Sequence, residues 1–178
     1  MNTLLTLSAS DLAAMIRADR LTSRAAVEAH IAQIEKVNPV INAMVRTRFD
    51  EARAEADAAD RTRRASGPDG LPPFHGVPCS IKECFALTGM PHTGGLVARK
   101  GVIARGDATA VARLRAAGAI PLGVTNLSEL CMWMESDNRV YGRTNNPYNP
   151  ARIVGGSSGG EGAIVGAGGA PFGLGSDI

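Results

Sequence analysis

Apolar positions at helical spacing dominate the start of the chain and predict two amphipathic helices. Ser8 followed by Asp11 matches a capping box in front of the segment LAAMIRADR. A second helix is predicted to begin at Thr22 or Ser23. Its apolar face repeats at helical spacing at Val27, Ile31, Ile34 and Val37. Both helices therefore have one side that must pack against the rest of the molecule.

A third, highly charged helix and a turn-rich passage follow. Residues 47–66 are rich in Ala, Arg, Glu and Asp, which predicts a helix with a largely solvated face. Residues 67–73 contain three prolines and two glycines and indicate turns. We therefore expect a helical arm over residues 1–66 and an α/β part over residues 67–178, joined within one fold.

Beyond this junction the pattern alternates between strand and helix, which is typical of an α/β fold. The segment GVPCSIKECFAL predicts a strand, DATAVARLRAAGA a helix ending at Gly118, and IPLGVTN a second strand. Residues 136–154 lack either period and predict a long ordered loop or a lid. A glycine-rich turn, the helix GEGAIVGAGGA and the strand PFGLGSDI complete the sequence. Because this ending is apolar and has no polar tail, we expect a fragment.

Composition and charge exclude several classes of protein. The 178 residues are 44% hydrophobic and 20% charged, which suits one buried core and excludes disordered and collagen-like chains. The net charge of +2 is dispersed, so no nucleic-acid partner is predicted. No apolar run reaches the ~18 residues of a membrane span, and the N-terminus lacks the basic and apolar regions of a signal peptide. We expect a soluble, cytoplasmic protein.

The three cysteines predict neither disulfides nor a metal site. Cys79, Cys84 and Cys131 are an odd number in a chain without a signal peptide, so reduced thiols are expected. A zinc site could be drawn from His75, Cys79, Cys84 and His92, but the spacing H-x3-C-x4-C-x7-H matches none of the usual zinc motifs. We predict no metal and no cofactor.

The densest candidate for chemistry is the turn GGSSGG at residues 155–160. Ten of the 21 glycines lie from Gly155 onward, and two serines stand among them at the start of a predicted helix. Helix N-termini favour developing negative charge, so the turn suits acyl or phosphoryl transfer. The turn fits neither the Walker loop G-x-x-x-x-G-K-[ST] nor the dinucleotide-binding motif G-x-G-x-x-G. A flexible linker is disfavoured because an apolar helix follows directly. A G-x-S-x-G hydrolase elbow fits, but no histidine follows His92 to serve as its base.

Lys82 is the second candidate. It lies in an apolar predicted strand, in a chain with few lysines. A lysine buried without a carboxylate partner tends to lose its proton and can then act as a base. The alternative is an ion pair with Glu83 or another carboxylate. Adjacent strand residues face opposite sides, which argues against Glu83 but leaves other carboxylates open.

These motifs together resemble the amidase signature family, and within it the fatty acid amide hydrolase-like amidases. The matching passages are GVPCSIKECF, GDATAVARLRAAGAIPLGVTN, YGRTNNPYNP and GGSSGGEGAIVGAGGAPFGLGSDI. Glu161 is closer to this branch than to the aminoacyl-tRNA amidotransferase A subunits, which usually carry a small residue there. The resemblance implies a mixed β-sheet flanked by helices, built from a chain more than twice as long.

The resemblance also implies a Ser-Ser-Lys triad. Lys82 matches the base, and Ser157 matches the bridging serine, whose peptide bond with Gly156 is held cis. Ser158 would be a helper that hydrogen-bonds near the lysine. The nucleophilic serine follows the Gly-Ser-Asp-Ile motif and would lie beyond Ile178.

Two further positions are implied to contact the substrate. The backbone N–H near Ile178 would contribute to the oxyanion hole, and Cys131 falls where the family has a residue lining the acyl pocket. We therefore expect cofactor-free hydrolysis of a small carboxylic amide by the full-length enzyme, with this chain alone inactive and a homodimer possible. The alternatives are an α/β-hydrolase esterase using Ser157, a noncatalytic interaction module and an amidotransferase subunit.

Overall fold

A computed structural model describes residues 3–177 of the chain. Within them, the α-helices are α1 (Ala9–Arg17), α2 (Ser23–Ile41), α3 (Phe49–Ser66), α4 (Thr109–Ala116) and α5 (Gly159–Gly166). The strands are β1 (Met44–Thr47), β2 (Pro78–Lys82), β3 (Ile120–Thr125) and β4 (Gly173–Leu174). Short 3₁₀ turns occupy Thr3–Thr6, Val97–Arg99 and Glu129–Cys131.

The starts of the first two helices are those that the sequence predicts. Ser8 and Asp11 form the capping box of α1. Thr22 is the N-cap of α2, and its hydroxyl accepts the N–H of Ala25 at 3.1 Å. Helix α2 continues through Pro39 to Ile41, beyond the end of its apolar repeat. The left-handed backbone of the next residue, with φ of 46°, then ends it and leads into β1.

The four described strands form one mixed sheet in the order β1-β3-β2-β4. Strand β3 runs antiparallel to β1 and parallel to β2, and β2 runs parallel to β4. Every residue of β2 and β3 is buried, because these strands lie in the middle of the sheet. This architecture confirms the predicted α/β fold with a mixed sheet. Strand β4 has two residues and is shorter than the predicted strand at residues 171–178.

Helices cover both faces of the sheet. On one face, α2, α3 and α5 share an apolar cluster with β3 that includes Val27, Ile31, Ile120 and Ile164. On the other face, Val111 of α4 belongs to a cluster with side chains of β2 and β3. The predicted arm helices α2 and α3 thus pack on the sheet, and the division at residue 66 stays a prediction. No helix within residues 3–177 combines the length and apolarity needed to cross a membrane.

Alternation along β2 determines which side chains face the candidate site. Cys79 and Ile81 join the α4 cluster, whereas Ser80 and Lys82 point to the face that α5 covers. Residues 136–154 form the predicted ordered loop. Its Asn138 amide donates to the side chain of Asn126 at 2.8 Å, which fixes the loop against the end of β3.

Candidate active site

Lys82 is fully buried at the end of β2, and its amine contacts two hydroxyls. Nζ lies 2.6 Å from Ser157 Oγ and 2.9 Å from Ser176 Oγ. In the described part of the chain, no salt bridge includes Lys82. The alternative considered from the sequence, an ion pair of Lys82 with Glu83 or another carboxylate, is therefore not formed among these residues. Among the described residues, the side-chain groups that hydrogen-bond to the amine within 3.0 Å are both hydroxyls.

The turn that carries Ser157 is fixed by its backbone. The peptide bond between Gly156 and Ser157 is cis, the conformation that the family resemblance implies at this position. The Ser157 carbonyl accepts the N–H of Ser128 at 3.3 Å and the hydroxyl of Ser136 at 3.1 Å. A Cβ added to Gly156 would lie 2.6 Å from the carbonyl oxygen of Trp133, so a side chain does not fit there. These contacts hold the Ser157 hydroxyl against Lys82.

Ser158 reaches Lys82 only through another serine, Ser176. The Ser158 hydroxyl donates to the Ser176 carbonyl at 2.9 Å and accepts the Ser176 N–H at 3.2 Å. Ser176 Oγ in turn accepts from Lys82. Sequence reasoning missed Ser176, whose one local signal is a hydroxyl directly after the small, apolar stretch Gly173-Leu174-Gly175. Ile178, the predicted oxyanion-hole residue, lies outside the described residues.

A buried carboxylate lies near the lysine on the same face of the sheet. Glu161 of α5 accepts the hydroxyl of Ser80 at 2.6 Å and that of Thr125 at 2.7 Å. Burial raises the pKa of Glu161 to about 7, while these hydroxyls and the charge of Lys82 act in the opposite direction. The sequence marked Glu161 only as a branch-specific residue and did not place it beside Lys82.

An open cleft of about 690 Å³ lies beside Ser157. Its lining is mostly apolar and comprises Leu130, Cys131, Met132, Trp133, Met134, Gly156, Ser157 and Asp177. Met132 is 74% exposed and Trp133 is 67% exposed. The predicted pocket residue Cys131 thus shares one cleft with Ser157. A larger cleft of about 730 Å³, between α2 and the end of α5, contains none of the predicted site residues.

The three cysteines are free thiols, as the sequence predicts. The Cys131 thiol interacts with the thiol of Cys84, the amine of Lys82 and the hydroxyl of Ser157. The hydrogen bond from Cys84, followed by the charge of Lys82, lowers the pKa of Cys131 below its ordinary value. The same hydrogen bond, together with burial, raises the pKa of Cys84.

The two histidines of the zinc site considered from the sequence have other partners. His75 Nε2 lies 3.0 Å from the Ala59 carbonyl, and His92 Nε2 lies 3.0 Å from the Cys84 carbonyl. Across residues 3–177, no group of three His, Cys, Asp or Glu side chains is arranged to hold a metal ion.

Known proteins resemble this chain in sequence and in structure. Fatty-acid amide hydrolase 2-A of Danio rerio is 54% identical over 182 residues, which cover 99% of this chain and 34% of that protein. Fatty-acid amide hydrolase 2 of Homo sapiens is 51% identical, over 98% of this chain and 34% of that protein. A solved structure titled fatty acid amide hydrolase superposes with a TM-score of 0.93 at 32% identity, covering 99% of this chain and 31% of that one.

The chain spans about a third of the length of these curated relatives. A family comparison matches residues 25–178 to the family described as Amidase. Both the sequence and the fold of this chain therefore match these proteins over nearly the whole of its length. The chain belongs to the amidase family, whose members include the fatty-acid amide hydrolases.

Proposed function

We propose that this chain supplies the base and the bridging serine of an enzyme that hydrolyses carboxylic amides to an acid and an amine or ammonia. The observation that carries the proposal is the buried 2.6 Å contact between Lys82 Nζ and Ser157 Oγ, in which Lys82 has no salt-bridge partner among residues 3–177. Relatives named as amide hydrolases support the reaction type. The nucleophilic serine is proposed to lie beyond Ile178.

In this mechanism Lys82 acts as a neutral amine and Ser157 passes protons to it. The nucleophilic serine loses its proton to Ser157 Oγ as the Ser157 proton moves to Lys82 Nζ, and the serine oxygen bonds to the amide carbon. The proton then returns through Ser157 to the leaving nitrogen, and the C–N bond breaks. Water repeats the sequence on the acyl-enzyme, which releases the acid and restores the serine.

Ser176 and Ser158 are proposed to orient the base. A neutral amine has two N–H donors and one lone pair. If one N–H is directed to Ser176 Oγ at 2.9 Å, the lone pair can face Ser157. The Ser158 hydroxyl holds Ser176 through two hydrogen bonds, one to the backbone carbonyl and one from the backbone N–H of Ser176. Both serines are therefore positioning residues.

The cleft beside Ser157 supports an amide substrate with an apolar group. Met132, Trp133 and Met134 give it a large apolar surface. The relatives are named for fatty-acid amides, so a long-chain acyl amide is the first substrate to test. A homodimer and a cytoplasmic location stay predictions. No observation favours the esterase alternative, since the base that contacts Ser157 is a lysine.

The test measures hydrolysis of a long-chain primary amide by the full-length gene product, together with labelling by a fluorophosphonate. Ser157→Ala and Lys82→Ala should each lower kcat/KM by about 10² to 10⁴, the usual worth of a proton-transfer group. Lys100→Ala, which removes an exposed lysine, is the matched control and should keep full activity. Full activity in Lys82→Ala, or a label on Ser157 itself, would contradict the proposal and favour the esterase alternative.

A further inference from the structure

One side of the cleft beside Ser157 is formed by residues 130–134, here called the cleft wall. Its last three residues, Met132, Trp133 and Met134, are large, apolar and largely exposed. Adjacent apolar side chains that stay exposed in this way are typical of a binding surface. The proposed function assigns this surface to the apolar group of an amide, and the inference below rests on that function. Hydrolysis then requires the cleft wall to be held at a fixed position relative to Ser157.

Ser128 contacts both the cleft wall and the turn that carries Ser157. It is fully buried and lies two residues before the wall. Its hydroxyl accepts the N–H of Trp133 at 3.2 Å, and its carbonyl accepts the N–H of Cys131 at 2.9 Å. Its own N–H donates to the Ser157 carbonyl at 3.3 Å. A single residue thus connects the wall to the turn through three hydrogen bonds.

The backbone of the cleft wall depends on its surroundings for its shape. Leu130 and Cys131 have φ values of 51° and 62°, in the left-handed region that bulky side chains rarely adopt. Such conformations persist only where neighbouring groups fix them. The Gly94 carbonyl accepts the N–H of Leu130 at 2.7 Å and holds the first end of the wall. The Ser128 hydroxyl holds it further along, at Trp133.

We propose that Ser128 is a positioning residue that fixes the cleft wall relative to Ser157 and thereby sets the preference for amides with long apolar acyl groups. An acyl group that lies against the wall holds its amide next to Ser157. Contacts remote from the reacting atoms raise the rate when they orient those atoms. A short amide that does not reach the wall lacks this contribution.

The variant Ser128→Ala tests the proposal in the full-length protein. It removes the acceptor of the Trp133 N–H and keeps the two hydrogen bonds made by the Ser128 backbone. The measured quantity is the ratio of kcat/KM for dodecanamide to kcat/KM for propionamide. This ratio should fall by about tenfold, which lies between the worth of one hydrogen bond and the cost of a 1 Å displacement at a reacting group. Most of the loss should fall on dodecanamide.

Ser23→Ala is the matched control. Ser23 is also fully buried, and its hydroxyl has no hydrogen-bond partner among the described residues. The ratio for the two amides should therefore stay at the wild-type value in this variant. An unchanged ratio in Ser128→Ala, or equal losses for both amides, would overturn the proposal, because the hydroxyl would then have no effect on the choice of substrate.

Hydrogen exchange followed by mass spectrometry tests the contact without relying on activity. In Ser128→Ala, one amide of the peptide that contains Trp133 should exchange about tenfold faster than in the wild type, because its N–H has lost its acceptor. Identical exchange in the two proteins would also overturn the proposal. If the wild type hydrolyses neither amide, the proposed function fails instead, and the exchange rates alone decide whether Ser128 holds the cleft wall.

Discussion

Lys82 and Glu83 are neighbours at the end of β2 and are both fully buried, yet they face opposite sides with different kinds of partners. The Glu83 carboxylate accepts the N–H and hydroxyl of Thr93, the N–H of Gly94 and the hydroxyl of Tyr141. Lys82 contacts serine hydroxyls and, among the described residues, forms no ion pair.

This difference separates Glu83, a buried charge that stabilises the fold, from Lys82, a buried group suited to proton transfer. Four donors stabilise an ionised carboxylate, so Glu83 ties the segment at Thr93 and Gly94 to the end of the strand. Among the described residues the buried Lys82 amine forms no salt bridge, and its hydrogen-bond partners within 3.0 Å are hydroxyls that can pass protons to and from it.

The largest expected effect is that of Lys82→Met, which keeps an unbranched side chain that is one atom shorter and removes the amine. We expect kcat/KM to fall by about a thousandfold or more, because the proposed base is lost. The unfolding free energy should stay the same or rise, since an apolar side chain replaces a buried amine without an ion-pair partner. Amide hydrolysis and urea unfolding of the full-length protein measure the two effects.

A loss of stability without a loss of activity in Lys82→Met would contradict the proposed difference between Lys82 and Glu83. A large loss of stability in Lys82→Met, with hydrolysis preserved in the molecules that remain folded, would make Lys82 a structural residue. The Lys100→Ala control shows whether the loss of any lysine lowers the measured activity. Lys100 is exposed, and its replacement should change neither quantity.

Glu83→Gln should act on stability first. The amide offers one acceptor oxygen where the carboxylate accepts four hydrogen bonds, so buried donors of Thr93 and Gly94 lose their partner. We expect a loss of about 2–4 kcal/mol in urea unfolding. The kcat of the folded fraction should fall far less than in Lys82→Met. A stable Glu83→Gln protein with a thousandfold loss of kcat would contradict the structural role of this carboxylate.

Much of the fold could be predicted from the sequence, because local signals and tertiary structure agree there. The capping box at Ser8 and the apolar repeat of α2 act within a few residues of chain, and the structure keeps both. The extension of α2 through Pro39 was not predicted. Strand β4 is short because the segment that follows it instead bonds to Ser158 and Lys82 across the fold.

The candidate site was predicted only in part, because its contacts join distant parts of the chain. Lys82 and Ser157 stood out as an isolated lysine and a glycine-rich turn, and the structure places them 2.6 Å apart. Ser176 and Glu161 carry no local signal for their positions near Lys82. The pairing of Ser80 with Glu161 spans 81 residues, which no periodicity in the sequence reveals.

Gly156→Ala tests how tightly the turn must hold Ser157. The added Cβ would lie 2.6 Å from the Trp133 carbonyl oxygen and 2.8 Å from the Met134 carbonyl carbon, so the turn must shift. A displacement of about 1 Å at a reacting group costs roughly a hundredfold in rate, which is the expected fall in kcat/KM. Gly162→Ala is the matched control, because no atom lies within 4 Å of its added Cβ. Equal activities of the two variants would show that the position of Ser157 tolerates the change.

The smallest expected effect is a pH dependence of stability that originates at Glu161. Its pKa is raised by burial to about 7 in the folded state, from 4.5 as the ordinary value. The folded protein therefore binds this proton more tightly than the unfolded chain does, and stability falls as the pH rises from 4.5 through about 7. Glu161→Gln removes the titration, and its amide can still pair with the hydroxyls of Ser80 and Thr125.

Urea unfolding at pH 5 and pH 8 isolates this contribution from all other titrating groups, because they are common to the wild type and to Glu161→Gln. The wild type should lose about 2 kcal/mol more than the variant between the two pH values. Parallel losses would mean that Glu161 stays ionised across this range, held by the nearby Lys82 charge. Lys82 would then have a buried anionic neighbour. Like Glu83, it would be a buried charge that its surroundings stabilise, and the difference between the two residues would be smaller than their hydrogen bonds alone indicate.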